Sequence, residues 1–157
     1  MRSKKIGILN FYYSNKNYGA VLQAYALQYY LRNLGYDAKT LNFRNFPRRP
    51  DRILRTALIT FVFSNPFKRF RRKWLRLSTP NYLWAAQLNK AILDFDTFIV
   101  GSDQVWRANP VTRFRHTAYF LSFVPKIKKR IAYAASFGID HWAVSIKAPY
   151  TEIVKQE

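Results

Sequence analysis

A group of polar side chains follows an apolar run near the middle of the chain. The run Phe-Ile-Val at 98–100 leads directly into Gly101, Ser102, Asp103 and Gln104. A run with two β-branched members favours a strand buried on both sides. In an open α/β sheet, ligands bind outside the carboxyl ends of the strands, so Ser102, Asp103 and Gln104 are candidates for chemistry. An Asx-type turn that only ends the strand explains these residues equally well.

Two further polar loops that contain glycine follow predicted strands. Residues 15–19 come after a strand at 6–11, and residues 136–138 come after a strand at 130–136. If these strands are parallel to the central one, all three loops lie along one edge of the sheet. The first loop also begins a helix, whose free N–H groups favour an anion or a sugar hydroxyl.

The elements that must position these loops can be predicted from the spacing of apolar residues. A helix at about 20–34 has apolar residues spaced four and three apart and ends at Gly35. Its stripe is formed by Ala20, Ala24, Leu27, Leu31 and Leu34, and a second apolar side by Leu22, Tyr25 and Tyr29. A strand at 38–43 completes a βαβ unit, and residues 81–93 predict another helix. The fold class is therefore α/β, a Rossmann-like, mostly parallel sheet with flanking helices.

The charge of the chain is its most unusual bulk property. Its 157 residues, enough for one domain, include 27 Lys plus Arg and 8 Asp plus Glu, a net charge of +19. Between 44 and 76 there are 11 basic residues and one acidic residue, interleaved with aromatic residues. This stretch predicts a basic surface insert with short helices at 52–63 and 67–75, suited to an anionic partner. The alternative is a solvated basic face whose aromatic residues, notably Phe70 and Trp74, pack on the first helix.

Motifs for cofactors, metals and membranes are missing from the sequence. It has no Gly-x-Gly-x-x-Gly, no P-loop and no His-Glu-x-x-His, so neither a cofactor nor a metal is predicted. There are no cysteines, and the two histidines, His116 and His141, lie in separate loops. The N-terminus does not resemble a secretion signal, and the longest apolar run, 57–63, is far shorter than a membrane span.

Four segments of the chain carry a family resemblance. They are NYGAVLQAYALQ at 17–28, GSDQVW at 101–106, YFL at 119–121 and RIAYAASFG at 130–138. Together they resemble the polysaccharide pyruvyl transferase family over roughly 5–140. The resemblance implies transfer of pyruvate from phosphoenolpyruvate to sugar hydroxyls of cell-surface or exopolysaccharide glycans, on a two-domain fold like that of GT-B glycosyltransferases. One departure is Arg107, where the family commonly has asparagine.

The implied reaction assigns roles to the loop residues. Formation of a pyruvyl ketal needs a base near the attacking hydroxyl, an acid, and cations on phosphate and carboxylate. Asp103 is the only carboxylate among the three loops and is therefore the expected base or hydroxyl ligand, although a purely structural cap of its own loop remains open. The expected substrate-binding residues are Asn15, Asn17, Tyr18, Gly19, Ser102, Gln104, Trp106 and Ser136. Among these, Tyr18 and Trp106 offer aromatic faces to sugar rings.

The length of the chain leads to a further expectation. The resemblance implies a second Rossmann-like domain that supplies most of the cations for phosphoenolpyruvate. We therefore expect residues 1–157 to be a truncated N-terminal domain with a basic insert at 44–76, an incomplete sheet and no C-terminal donor domain. The alternative function is an inactive fragment that binds anionic glycan, membrane or nucleic acid through this insert.

The resemblance also implies partners and a location. A glycan or lipid-linked glycan acceptor is expected, with peripheral contact between 44–76 and an anionic membrane, whereas nucleic acid is not an expected partner. The expected location is the cytoplasm, including the inner face of the membrane. The sequence predicts no oligomeric state.

Overall fold

The computed structural model describes residues 3–44, 66–107 and 117–139. In chain order the elements are β1 (Lys5–Leu9), α1 (Tyr18–Asn33), β2 (Asp37–Thr40), α2 (Pro66–Trp74), a 3₁₀ helix (Ala85–Leu93), β3 (Thr97–Asp103), a second 3₁₀ helix (Thr117–Phe120) and β4 (Lys129–Ala135). The predicted helix at 52–63, the last part of the 106–116 loop and a predicted amphipathic piece from about 143 lie outside the described residues.

The described strands form one parallel sheet in the order β2-β1-β3-β4. Leu9 is in register with Val100, and Gly101 with Tyr133, so β1, β3 and β4 all end at one edge. With helices flanking the sheet, the α/β class is confirmed. The likeness to a GT-B half and the truncated domain stay predictions.

Helix α1 begins and ends as its sequence predicts. The side chain of Asn17 accepts a hydrogen bond from the Ala20 N–H, which caps the first turn. Gly35 follows the helix with a φ of 88°, a conformation that few other residues adopt. The predicted stripe is buried except at Leu34, which is 57% exposed because it is already the C-cap residue.

The second apolar side of α1 is covered only in part. Tyr25 packs against Phe70 and Trp74 of α2, with ring centroids 5.5 and 6.0 Å apart. The predicted packing of these two aromatic residues on α1 is therefore confirmed. Leu22 and Tyr29, the other two residues of this side, are exposed.

The core lies on both faces of the sheet because successive strand residues point in opposite directions. Ile6, Ile8 and Ile99 pack with Leu27 and Leu31 of α1. The other face has a larger cluster formed by Leu9, Phe98, Val100, Tyr82, Leu88, Tyr119 and their neighbours. The sheet is thus buried on both sides at β1 and β3, the strands that lead into two of the polar loops.

Two predicted elements differ in the structure. The strand predicted at 38–43 is shorter, Asp37–Thr40, and beyond it Phe43 makes a single bridge with Tyr82. The helix predicted at 81–93 is a 3₁₀ helix over Ala85–Leu93. Its buried residues, Leu88 and Ala91, are three apart, a spacing that a helix with three residues per turn places on one side.

Gly101 allows β3 and α1 to approach closely. A Cβ added there would lie 2.9 Å from Leu27 Cδ2 and 3.3 Å from the carbonyl oxygen of Tyr133. We expect Gly101→Ala to lower the free energy of unfolding by about 1–3 kcal/mol, because the extra methyl overpacks the contact between strand and helix. Urea unfolding measures this loss. Gly19→Ala is the comparison, since its Cβ would meet only the flexible Asn17 side chain at 3.3 Å; an equal loss there would contradict the account.

Candidate functional site

The loops after β3 and β4 are joined by backbone hydrogen bonds at the carboxyl edge of the sheet. The N–H of Ser136 donates to the carbonyl of Asp103 at 3.0 Å, and the N–H of Trp106 donates to the carbonyl of Ser136 at 3.1 Å. Two of the three loops chosen from the sequence therefore meet. Asp103 and Ser136 lie side by side in this arrangement.

The Asp103 carboxylate is half-buried at this junction. Its Oδ1 accepts a hydrogen bond from the N–H of Gln104 at 2.7 Å, the contact expected of a turn that caps itself. Its Oδ2 accepts no hydrogen bond from the part of the chain that the structure describes. One oxygen thus holds the loop, and the other makes no hydrogen bond within the described residues.

The residues next to Asp103 have an uncommon backbone conformation at Ser102 and close contacts at Gln104. Ser102 has a φ of 37°, in the left-handed region that non-glycine residues rarely adopt. Gln104 accepts a hydrogen bond from Arg107 Nη1 at 2.9 Å, so the residue that departs from the family pattern contacts a predicted site residue. Gly138 has a φ of 64°, and a Cβ there would lie 2.2 Å from Gln104 Cδ. The loop after β4 therefore lies directly against Gln104.

Trp106 lies in an aromatic group beside this junction. Its ring stacks on Phe120 with centroids 5.6 Å apart and an angle of 4°, and it contacts Phe137 at 5.4 Å. Its Nε1 donates to the carbonyl of Tyr119 at 2.9 Å. Trp106, Phe120 and Phe137 line a cavity of about 290 Å³. The contacts show a packing role, and the sugar-binding role of Trp106 stays a prediction.

Some residues of the first polar loop form the start of α1, and others contact α2. Asn17 caps α1, and Gly19 lies next to the Asn17 side chain. Tyr18 is exposed, and its ring packs on Phe67 with centroids 4.5 Å apart. Asn15 instead accepts a hydrogen bond from Arg71 Nη2 at 2.8 Å. The residue 15–19 loop thus packs against α2, which belongs to the basic stretch 44–76.

A cationic cavity, missed by the sequence reasoning, lies between this loop and α2. It has a volume of about 490 Å³. Arg71 is only 6% exposed there and also donates to the carbonyl of Ser14. The guanidinium carbons of Arg44 and Arg71 lie 4.9 and 4.8 Å from the centre of the Tyr13 ring. We call this the Arg44–Arg71 cavity; its walls include Tyr12, Tyr13, Arg44, Lys68, Arg71 and Arg72.

Two buried tyrosines, Tyr12 in the wall of the Arg44–Arg71 cavity and Tyr119 in the core, have raised pKa values. Burial raises the pKa of Tyr12 to about 12, although the nearby Arg44 acts in the opposite direction. Burial also raises the pKa of Tyr119, and the negative charges of ionised Tyr12 and of Asp103 raise it further. Both hydroxyls are therefore neutral at physiological pH.

Asn10 is a second residue that the sequence reasoning did not select. It follows β1 directly and is 2% exposed, yet neither its Oδ1 nor its Nδ2 has a hydrogen-bond partner in the described residues. An unsatisfied buried amide is costly, so such a group often marks a place where a ligand or water binds. No sequence signal distinguishes Asn10 from an ordinary residue at a strand end.

Comparison with known proteins identifies the family. The family model described as polysaccharide pyruvyl transferase matches residues 17–148. This chain belongs to the polysaccharide pyruvyl transferase family. The match confirms the resemblance seen in the sequence, and it includes the loops after β3 and β4 together with α1 and α2. No curated protein and no solved structure matches the chain significantly.

Among the helices in the described ranges, none is sufficiently long and apolar to cross a membrane.

Proposed function

We propose that this member of the polysaccharide pyruvyl transferase family transfers the pyruvyl group of phosphoenolpyruvate to hydroxyls of a cell-surface or exopolysaccharide glycan. The observation that carries this proposal is the position of Asp103, at the carboxyl edge of a parallel sheet and in backbone contact with the loop after β4. Membership of the family supports the reaction class.

The reaction makes two carbon–oxygen bonds at one carbon. One acceptor hydroxyl adds to C2 of phosphoenolpyruvate while C3 takes up a proton, and phosphate leaves C2. A second hydroxyl then adds to C2 and closes a cyclic ketal. Of the two hydroxyl protons released, one balances the proton taken up by C3 and the other leaves with phosphate. The free Oδ2 of Asp103 is the group that accepts a hydroxyl proton in this scheme.

The other polar groups of the edge orient the acceptor. Gln104 and Ser136 lie on either side of Asp103, and the half-buried Ser102 precedes it. Asn15, Asn17, Tyr18 and Gly19 extend the site along the start of α1, whose N–H groups favour electronegative atoms. Trp106 would present the part of its ring not stacked on Phe120 to a sugar. Asn10 adds a buried amide whose side-chain atoms have no hydrogen-bond partner among the described residues.

The partners and location follow from this reaction as proposals. The acceptor is a glycan or a lipid-linked glycan, and the enzyme works in the cytoplasm or at the inner face of the membrane. The basic stretch 44–76 would contact anionic lipid there, although residues 45–65 of it lie outside the described residues. Phosphoenolpyruvate serves as co-substrate, with no further cofactor.

The test is pyruvyl transfer by the protein isolated from its native source. Incubation with phosphoenolpyruvate and the host's glycan is expected to release phosphate only when glycan is present. The glycan should gain the methyl signal of a pyruvyl ketal in its proton NMR spectrum. Heat-denatured protein is the control. Folded protein that forms no ketal would favour the alternative, an inactive chain that binds anionic glycan, membrane or nucleic acid through 44–76.

A further inference from the structure

The Arg44–Arg71 cavity brings together cations without acidic partners. Arg44, Lys68, Arg71 and Arg72 all line it, and none of the described residues in its walls is acidic. In the described part of the chain no carboxylate pairs with Arg71, whose hydrogen bonds go to the neutral oxygens of Ser14 and Asn15. The cavity therefore holds an excess of positive charge.

Arg71 shows that this charge is not simply solvated. The side chain is 6% exposed, and a buried guanidinium loses most of its hydration. Burial accordingly lowers the pKa of Arg71, while the neighbouring Tyr13 and Tyr12 act in the opposite direction and the charge of Arg44 adds a smaller lowering effect. Buried charges in proteins are normally paired or hydrogen-bonded. Arg71 is hydrogen-bonded to neutral oxygens, and the described residues place a like charge, Arg44, near it and no counter-ion. An anion that enters the cavity would relieve this repulsion.

One residue that lines the cavity has a hydrogen-bond donor that is not in use. The Nε of Arg44 is buried and has no partner among the described residues. Its guanidinium and that of Arg71 share the Tyr13 ring, which fixes both planes at one wall of the cavity. A guanidinium group matches the geometry of an oxyanion because it can donate parallel hydrogen bonds. The two terminal nitrogens of Arg71 already donate one hydrogen bond each, to Ser14 and Asn15, so an anion would use their second N–H groups together with those of Arg44.

A phosphoryl group fits these observations better than a single carboxylate or a membrane surface. A phosphate monoester carries nearly two negative charges at neutral pH and three acceptor oxygens, whereas a carboxylate carries one charge. A flat anionic surface would contact the exposed Arg69 and Lys73 but could not reach Arg71. The volume of about 490 Å³ leaves room for more of a ligand than the phosphoryl group, and Leu75 and Leu77 supply apolar wall.

We propose that the Arg44–Arg71 cavity is a binding site for the phosphoryl group of a small substrate, held by Arg44 and Arg71 and neutralised further by Lys68 and Arg72. The group could belong to phosphoenolpyruvate or to a sugar phosphate on the acceptor side. Naming these two sources rests on the proposed function, whereas the anion site itself does not.

The test is isothermal titration of the full chain with inorganic phosphate, phosphoenolpyruvate and glucose 1-phosphate. At least one of these anions is expected to bind. Lys68→Gln should weaken that binding about tenfold, because an exposed cation that faces the bound phosphoryl group is lost. Arg69→Gln is the matched control: it removes the same charge from the adjacent residue of α2, outside the cavity walls, and should change the affinity less than about twofold.

A second variant tests the geometry of the site. Arg71→Lys keeps the charge but removes the planar donor group, so it should weaken binding by about tenfold or more. Circular dichroism checks its folding, and the exposed Lys68→Gln variant keeps the proposal testable if Arg71→Lys does not fold. The tighter of phosphoenolpyruvate and glucose 1-phosphate identifies the source of the phosphoryl group.

Three results would overturn the proposal. They are the absence of binding by all three anions, an equal loss of binding in Lys68→Gln and Arg69→Gln, and binding only to phosphatidylglycerol vesicles. The titration needs no turnover, so the anion site and the transferase activity can fail independently. Phosphate binding without ketal formation would reject the proposed function alone.

Discussion

Replacing Asp103 by asparagine is expected to lower pyruvyl transfer by about 10²–10⁴-fold, the usual contribution of a general base. The amide cannot take up the proton of the attacking hydroxyl. Its oxygen can still accept the hydrogen bond from the Gln104 N–H, which in the native loop is 2.7 Å long. We therefore expect Asp103→Asn to fold normally. Turnover is measured as ketal formation, with the native enzyme's glycan as acceptor.

Asp94→Asn is the matched control for Asp103→Asn. Asp94 is exposed and lies just before β3, at the amino end of the strand whose carboxyl end bears Asp103. The same chemical change there should leave both activity and stability within experimental error. If Asp103→Asn keeps its turnover, the carboxylate serves only the turn and takes no part in the mechanism. A matching fall in melting temperature and activity would lead to the same conclusion.

The second large effect is expected on stability, from Gln28→Leu. Gln28 is 1% exposed, and its Nε2 donates to Thr40 Oγ1 at 3.0 Å and to the Arg76 carbonyl at 2.8 Å. Its Oε1 accepts from the Arg76 N–H at 2.8 Å. Leucine would leave the Arg76 N–H and the Thr40 hydroxyl without these partners, at about 1–3 kcal/mol each. We expect the free energy of unfolding to fall by about 2–4 kcal/mol.

Gln23→Leu provides the comparison for Gln28→Leu. On the same helix, Gln23 makes one local hydrogen bond, from its Nε2 to the Ala20 carbonyl, and its Oε1 is buried without a partner in the described chain. Removing this amide should change the stability by less than about 1 kcal/mol. Urea unfolding of both variants separates the effects. If both variants lose the same free energy of unfolding, the three hydrogen bonds of Gln28 stabilise the protein no more than the single local hydrogen bond of Gln23 does.

Local signals in the sequence were sufficient to predict helix α1 and the strands of the sheet. Asn17 and Gly35 mark the ends of α1 through capping chemistry that depends only on nearby residues. The β-branched runs at 6–9 and 98–100 identify β1 and β3. Parallel pairing then places the loops after the strands, and with them Asp103 and Ser136, along one edge; that these two residues are directly adjacent is a finding of the structure.

The contacts of α2 could not be predicted in the same way. A run of arginines normally forms a solvated surface, and nothing local distinguishes Arg71 from Arg69 or Arg72. Its burial depends on Tyr13, Ser14 and Asn15, which are more than fifty positions away in the chain. Asn10 was missed for a related reason, because an unsatisfied amide is visible only after every neighbour has been placed.

The close contact between Gly101 and Leu27 bears on how acceptor preference can change among related enzymes. Helix α1 carries the residue 15–19 loop at its start, and β3 carries Asp103 at its end. Their separation is fixed by a strand backbone against a helix side chain, with no space for a β-carbon. Residues at the tips of the loops, such as Arg107, can then be exchanged without altering that separation. Changes in the proposed glycan acceptor would therefore arise from substitutions at the loop tips, while the contact between Gly101 and Leu27 stays the same.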